Sequence, residues 1–480
     1  MKAMIWIAFL LAVPAWAETL KLEGLPIQME WADINGDNAP DLVALMLVSQ
    51  TEGTVETWMM DGRLQGVYED HTLREKYLAT WIKKGDSWEE QHRLDLGRET
   101  ILGFALDENK MMLWRKEGLT AHEWSAPGWK VGQFYETPGL LATEGVYMSE
   151  FPFWQKGKDG NFWMVPDLDG LHVIPAGNPL GGVFRPYPDS AFLSNRVRSD
   201  EHVVSLAMPK MVDLDGDGSL ELVFHGKKAV TAWSLSPEGP TWNASADGRL
   251  VDLNGDGIPD LVKEIEGEIE KRKDLPRVKT HLKIHYATGP LNFPAEPDRE
   301  QSVSGLLVDS DDSDIPIPYP YLDLNNDGRP DIAGMAFKLS LFQIAKVVTT
   351  QRITIKFLLN LSLQLEDGSF EKLAGGPFEM TWKVNLRRLR MPTFAQMAAD
   401  FDGDGWMDIL MEKKDKYLEV TPVTRAGFQP GLKWTRKLPS DLRNPDQVYG
   451  RDMNGDGKAD FVVVKIKGNH TLVAVLEQDR

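Results

Sequence analysis

One arrangement of oxygen-bearing side chains recurs six times in this chain: Asp-x-Asp/Asn-x-Asp, an acid at the ninth position, then an apolar run. The copies are Asp33, Asn35, Asp37 with Asp41; Asp213, Asp215, Asp217 with Glu221; and Asp252, Asn254, Asp256 with Asp260. They continue as Asp323, Asn325, Asp327 with Asp331; Asp400, Asp402, Asp404 with Asp408; and Asp452, Asn454, Asp456 with Asp460. Oxygens at every second position of a tight loop can turn toward one point, and a hard cation such as Ca²⁺ takes about six to eight of them. The ligand set therefore predicts up to about six bound Ca²⁺. A residue able to adopt a left-handed backbone follows the fifth position: Gly218, Gly257, Gly328, Gly405 and Gly457, with Asn38 in the first copy.

The elements that position these oxygens follow from what comes after them. A helical calcium hand needs a bidentate Glu at its twelfth position. Here the twelfth residues are Ala44, Phe224, Lys263, Gly334, Met411 and Val463, none of which can serve. The ninth residue instead leads into β-prone runs such as Leu42 to Val48 and Phe461 to Val464, so each loop joins two strands. Asn-Gly-Asp and Asp-Gly-Asp also make hairpin turns without metal. Turn chemistry by itself sets no requirement for an acid four residues later, which favours the metal reading for the repeated set. The acids also carry most of the charge. The formal net charge is −19, and six Ca²⁺ against the ligand carboxylates would leave a chain without its leader near −8 (about).

These loops, the strand behind each and the segment Glu366-Asp-Gly-Ser-Phe370 resemble FG-GAP or VCBS-type repeat proteins, the β-propeller family that includes the head of integrin alpha subunits. The resemblance covers the loop segments well and the intervening sequence poorly. It implies an all-β propeller with Ca²⁺ held between the first and second strands of a blade. First aspartates are spaced 180, 39, 71, 77 and 52 residues apart. The long gap has room for two degenerate starts, at Asp107-Glu-Asn109 and Asp167-Leu-Asp169-Gly170, which lack the ninth acid and are expected to hold metal weakly or not at all. About eight four-stranded blades result, with seven as the alternative if one degenerate start is an insertion. The final copy leaves room for only about three strands, so Thr19 to Leu22 is expected to complete the last blade and remove two open sheet edges. Residues 263–286 and 337–365 exceed what a blade needs and read as extended hairpins.

Composition bounds the setting. Lys2, the apolar run Ala3 to Val13 and Ala15-Trp16-Ala17 read as a signal peptide over 1–17, with a single domain over 18–480. No later stretch reaches the roughly 20 apolar residues a membrane helix needs, so no transmembrane segment is expected. Without cysteine there are no disulfides and no thiol catalysis, and bound metal is one remaining source of stability. The acidic balance argues against nucleic acid as a partner. The expected product is exported to the periplasm, cell surface or medium.

No nucleophile elbow or phosphate-binding glycine loop is present. His281 and His285 are four apart but lie in an alternating, strand-like segment, which does not favour zinc. The 16 tryptophans, among them Trp31, Trp114 and Trp233, read as wedges between blades rather than sugar platforms. Asn243, Asn360 and Asn469 head glycosylation sequons. The function expected is a non-catalytic binding, adhesion or scaffold module with structural calcium and a protein or glycan ligand. The alternative is a polysaccharide-active lyase or glycosidase built on the same calcium-containing propeller.

Overall fold

The computed structural model describes residues 19–477, except 49–55, 61–62, 68–73, 86, 100, 108, 116–117, 137–153, 158–159, 168–169, 176–192, 199–200, 207–209, 215–220, 226–229, 235–242, 269–271, 290, 309–318, 339–351, 386–395 and 414–415. The expected leader, 1–17, lies outside them. The described chain is all-β, with one 3-10 turn, Arg272–Arg277, and no α-helix. None of its helices is long and apolar enough to cross a membrane.

The strands of Asp41–Leu47 and Asp460–Lys467 explain the architecture. Asp41–Leu47 is buried at every position, although alternate side chains of a strand must point to opposite faces. Both of its faces are covered. Val43, Leu45 and Leu47 pack with Phe104, Leu113 and Trp129 from the sheet that follows in sequence, whereas Leu42, Ala44 and Met46 pack with Val462, Val464 and Val473 from the end of the chain. Each Val, Leu, Met or Phe among them contributes about 1.5–3 kcal/mol when fully buried. A continuous apolar run is what a central strand sandwiched between two sheets requires.

Antiparallel sheets follow one another along the chain at 25–97, 101–136, 154–175, 210–246, 249–304, 321–385, 396–437 and 447–476. Five of the sheets have four strands among the described residues. Leu193–Arg198 and Glu201–Leu206 form a separate pair. Shared cores join 210–246 to 249–304, that sheet to 321–385, that to 396–437, and that to the final sheet. Strand Trp154–Gly157 approaches both Ile101–Asp107 and Lys210–Val212.

The last sheet takes its outer strand from the start of the chain. Thr19–Glu23 pairs antiparallel with His470–Leu476, from Thr19 opposite Ala474 to Glu23 opposite His470. The spare strand expected to fill this place does so. Trp31 and Trp114 are buried, and the Trp31 indole donates to the Tyr449 hydroxyl across the junction of the first and last sheets.

The two long segments are built differently from each other. In 263–286 the strands Asp260–Glu266 and Lys279–His285 pair from Leu261 opposite His285 to Glu266 opposite Thr280, with Arg272–Arg277 in their connection. In the second segment, Arg352–Gln364 runs past its sheet and gains Phe378–Asn385 as an extra neighbour along Arg352 to Leu359; residues 339–351 are outside the described set. A further hairpin, Glu56–Met60 with Arg63–Val67, adds to the free edge of Leu25–Ala32 through Gln28 opposite Gln65 and Met29 opposite Leu64.

Candidate metal centre

All six loops connect the first and second strands of a sheet, and all six are closed by the same pair. The residue just before the first Asp lies opposite the ninth acid: Ala32–Asp41, Val212–Glu221, Val251–Asp260, Leu322–Asp331, Ala399–Asp408 and Arg451–Asp460. Asp215 and Asp217 fall outside the described residues, so internal geometry is available for five loops.

In those five the polar groups form one repeated wheel. The first Asp accepts at Oδ2 from the sixth-position N–H, at 2.8–2.9 Å. The third residue, Asp or Asn, accepts at Oδ1 from the fifth N–H at 2.8–3.2 Å. The fifth Asp accepts at Oδ1 from the seventh N–H at 2.8–3.0 Å. Such side-chain-to-backbone bonds satisfy a loop that makes no ladder of its own. The turn demands two left-handed residues, at positions four and six. Glycine fills them except at Asn326 (φ 55°) and Asn38 (φ 66°), and Asn is the non-glycine residue best suited to that region.

The ninth acid has a task the sequence reading did not assign to it. In all six loops it accepts the second-position N–H, at 2.8–3.2 Å. In four loops its other oxygen accepts from the end of the sheet's third strand or from two residues beyond it: Lys83 to Asp41, Ala287 to Asp260, Gln364 to Asp331 and Val423 to Asp408. Backbone satisfaction therefore does demand an acid here, with or without metal. The sequence carried a second signal of this, the apolar second position. Ile34, Leu214, Leu253, Leu324, Phe401 and Met453 are all buried and anchor their loops in the core.

Burial is the main influence on the ninth carboxyls. It pushes Asp408 up to about 7 and Asp41, Asp260, Asp331 and Asp460 up to about 6, against the pull of the N–H donors. Neighbouring aspartates add to the rise, Asp402 and Asp400 for Asp408. Burial also raises Asp402, with Asp404 beside it adding more. A divalent cation among these groups would offset both effects. Asp400, Asp402 and Asp408 each bring one oxygen within 4.8 Å of the others, the one such trio among the described residues. In 323–331 burial raises Asp327, but Arg329 at the seventh position outweighs that and holds it low by pairing with it at 2.8 Å.

No family model and no curated protein matches this chain. Among solved structures it is similar to Sqt1 from Saccharomyces cerevisiae, at 10% identity over 96% of this chain and 100% of that one, TM-score 0.35. Sqt1 from Chaetomium thermophilum is 11% identical over 95% and 100%, TM-score 0.38.

The donor set fits calcium. Every ligand is oxygen, and a carboxylate oxygen that accepts one N–H keeps a second lone pair for an ion. The degenerate starts differ in size. Asp107 pairs with Lys110 and Asp167 with Gly170, leaving two-residue connections where the full loops leave eight residues between the closing pair. The other candidates are engaged elsewhere. His281 lies 3.2 Å from Ser302 Oγ and 3.1 Å from Glu300, and His285 lies 2.8 Å from the Pro294 carbonyl. Asn360, a sequon residue, is buried in a strand.

Proposed function

We propose that this chain is an exported, calcium-stabilised β-propeller of eight blades that serves as a non-catalytic binding or scaffold module. The eight successive sheets, their serial packing and the strand exchanged between chain ends support that architecture. The resemblance to FG-GAP and VCBS repeats points the same way. The observation that carries the metal reading is the repeated wheel, and above all the convergence of Asp400, Asp402 and Asp408. In each loop the side chains at positions one, three, five and nine would hold Ca²⁺, whose charge would offset carboxylate repulsion. An ion that binds only the folded state stabilises by about 2.7 kcal/mol per site at a hundredfold excess over its dissociation constant. Chelation should lower the melting temperature substantially and added calcium restore it. An unchanged melt in chelator, with no metal by elemental analysis, would refute the reading.

A second reading, a polysaccharide-active enzyme, draws on one cluster. Arg249, at the end of its strand away from the loop, pairs with Glu264 at 2.9 Å and lies 5.9 and 5.8 Å from the rings of Tyr319 and Tyr321. The Tyr321 hydroxyl donates to the same carboxylate at 2.9 Å. Tyr321 is buried and Tyr319 exposed, so the Tyr319 ring beside Arg249 is the face this cluster would offer an acidic sugar. New reducing ends or unsaturated products from pectic and other acidic glycans would establish it, and their absence would leave a binding role.

A further inference from the structure

The loops are tied to one another as well as internally. The carbonyl of the second residue, whose N–H holds the ninth acid, or in one loop that of the first residue, accepts a bond from the next sheet. Gln364 Nε2 donates to the Leu253 carbonyl at 2.6 Å, while the Gln364 backbone N–H donates to Asp331. Lys83 repeats this arrangement: Nζ donates to the Met453 carbonyl at 2.7 Å and the backbone N–H to Asp41. Between these two links the eighth residue of a loop takes over. Met407 N–H donates to the Leu324 carbonyl at 2.8 Å and Ala459 N–H to the Asp400 carbonyl at 2.7 Å. Five loops, 252–260, 323–331, 400–408, 452–460 and 33–41, are thereby joined by four bonds in the order of the sheets. The side-chain amide oxygen of Gln364 is buried without a hydrogen-bond partner, so within the structure this side chain acts as a donor.

We propose that these loops bind calcium as a coupled row, each loaded loop raising the affinity of the next. The proposal rests on the calcium reading above and adds a regulation to it. The second residue is held at its N–H by the ninth carboxylate and, through its own carbonyl or that of the residue before it, by the neighbouring sheet. Fixing one carboxylate set therefore fixes the strand end or loop segment that orients the next, which is a physical route for coupling. The row would fill over a narrower range of calcium than independent sites.

Calcium titration of the full chain, read by equilibrium dialysis, tests this. The wild type should bind with a Hill coefficient above 1. Gln364→Met keeps the backbone bond to Asp331 and loses only the link to Leu253; it should bind as many ions with a lower coefficient and about fivefold weaker overall affinity. Lys83→Met, at a partly buried residue, should act likewise at the other end of the row. Lys84→Met removes a neighbouring charge outside the belt and should keep the wild-type slope. Calcium bound with a coefficient of 1, or both belt variants retaining the wild-type slope, overturns the coupling and leaves the calcium reading standing. Absence of any bound calcium overturns both.

Discussion

Replacing Asp408 and replacing Asp402 should have different consequences, although both carboxylates belong to one cluster. Asp408→Ala leaves the N–H groups of Phe401 and Val423 without their acceptor. At about 1–3 kcal/mol for each of the two buried donors left unpaired, it should cost roughly 2–6 kcal/mol even in chelator. Asp402 accepts only from Asp404 within its own loop. Asp402→Ala should therefore remove about one bound ion per chain while leaving the chelated protein within about 0.5 kcal/mol of wild type. Denaturant melts in chelator, paired with metal analysis, separate the two. Equal losses in chelator would show that the ninth acid has no special structural task. The first, third and fifth positions were legible in the sequence because side-chain oxygens at alternate positions can be read from residue types. The ninth was seen and only half understood, because its partners at Lys83, Ala287, Gln364 and Val423 come from a strand whose register no local pattern reveals.

At the scale of the element, periodicity was informative wherever one strand carries both core faces, as in Asp41–Leu47 and Asp460–Lys467. It was weaker for the decorations. The hairpin Glu56–Val67 pairs with the edge of Leu25–Ala32 across more than 30 residues of sequence (about), and nothing local predicts that contact. Strand Gly118–Ser125 holds a different kind of surprise, a buried histidine. His122 has neither ring nitrogen hydrogen-bonded, and burial, aided by the Arg115 and His92 charges, pushes it down to about 4. The unfolded value is about 6.5, so the folded state favours neutral imidazole. That preference stabilises fully above about pH 6.5 and is lost as the pH falls toward 4, by on the order of 2–3 kcal/mol. His122→Leu should remove this contribution, so that its stability relative to wild type rises as the pH falls from about 6.5 toward 4, and a difference from wild type that stays constant across this window would refute the assignment.

Across the whole molecule, the junction of first and last sheets concentrates the chain's longest-range contacts. Leu22, on the exchanged strand, is buried in the same core as Met29, Val462 and Val473. Leu22→Asp would place a charge there and should cost several kcal/mol, on the order of 3–5. A large fall in melting temperature, with and without calcium, is the expected result; a wild-type melt would mean that the strand contributes little. Repeat spacing located the six sheets that carry a full loop between their first and second strands. The serial packing that joins the sheets was not legible in it, because it depends on which face of each strand meets which neighbour.

The register of Thr19 with Ala474 also has a temporal side. The two strands are made far apart in time: Thr19–Glu23 waits for a partner some 450 residues downstream, which at roughly 5–20 residues per second takes about 20–90 s to emerge. Until then His470–Leu476 has no outer neighbour and the first sheet no partner behind it. That seam therefore stays unmade until the downstream strand has emerged, and the pairing of Thr19–Glu23 with His470–Leu476 comes late in folding rather than early.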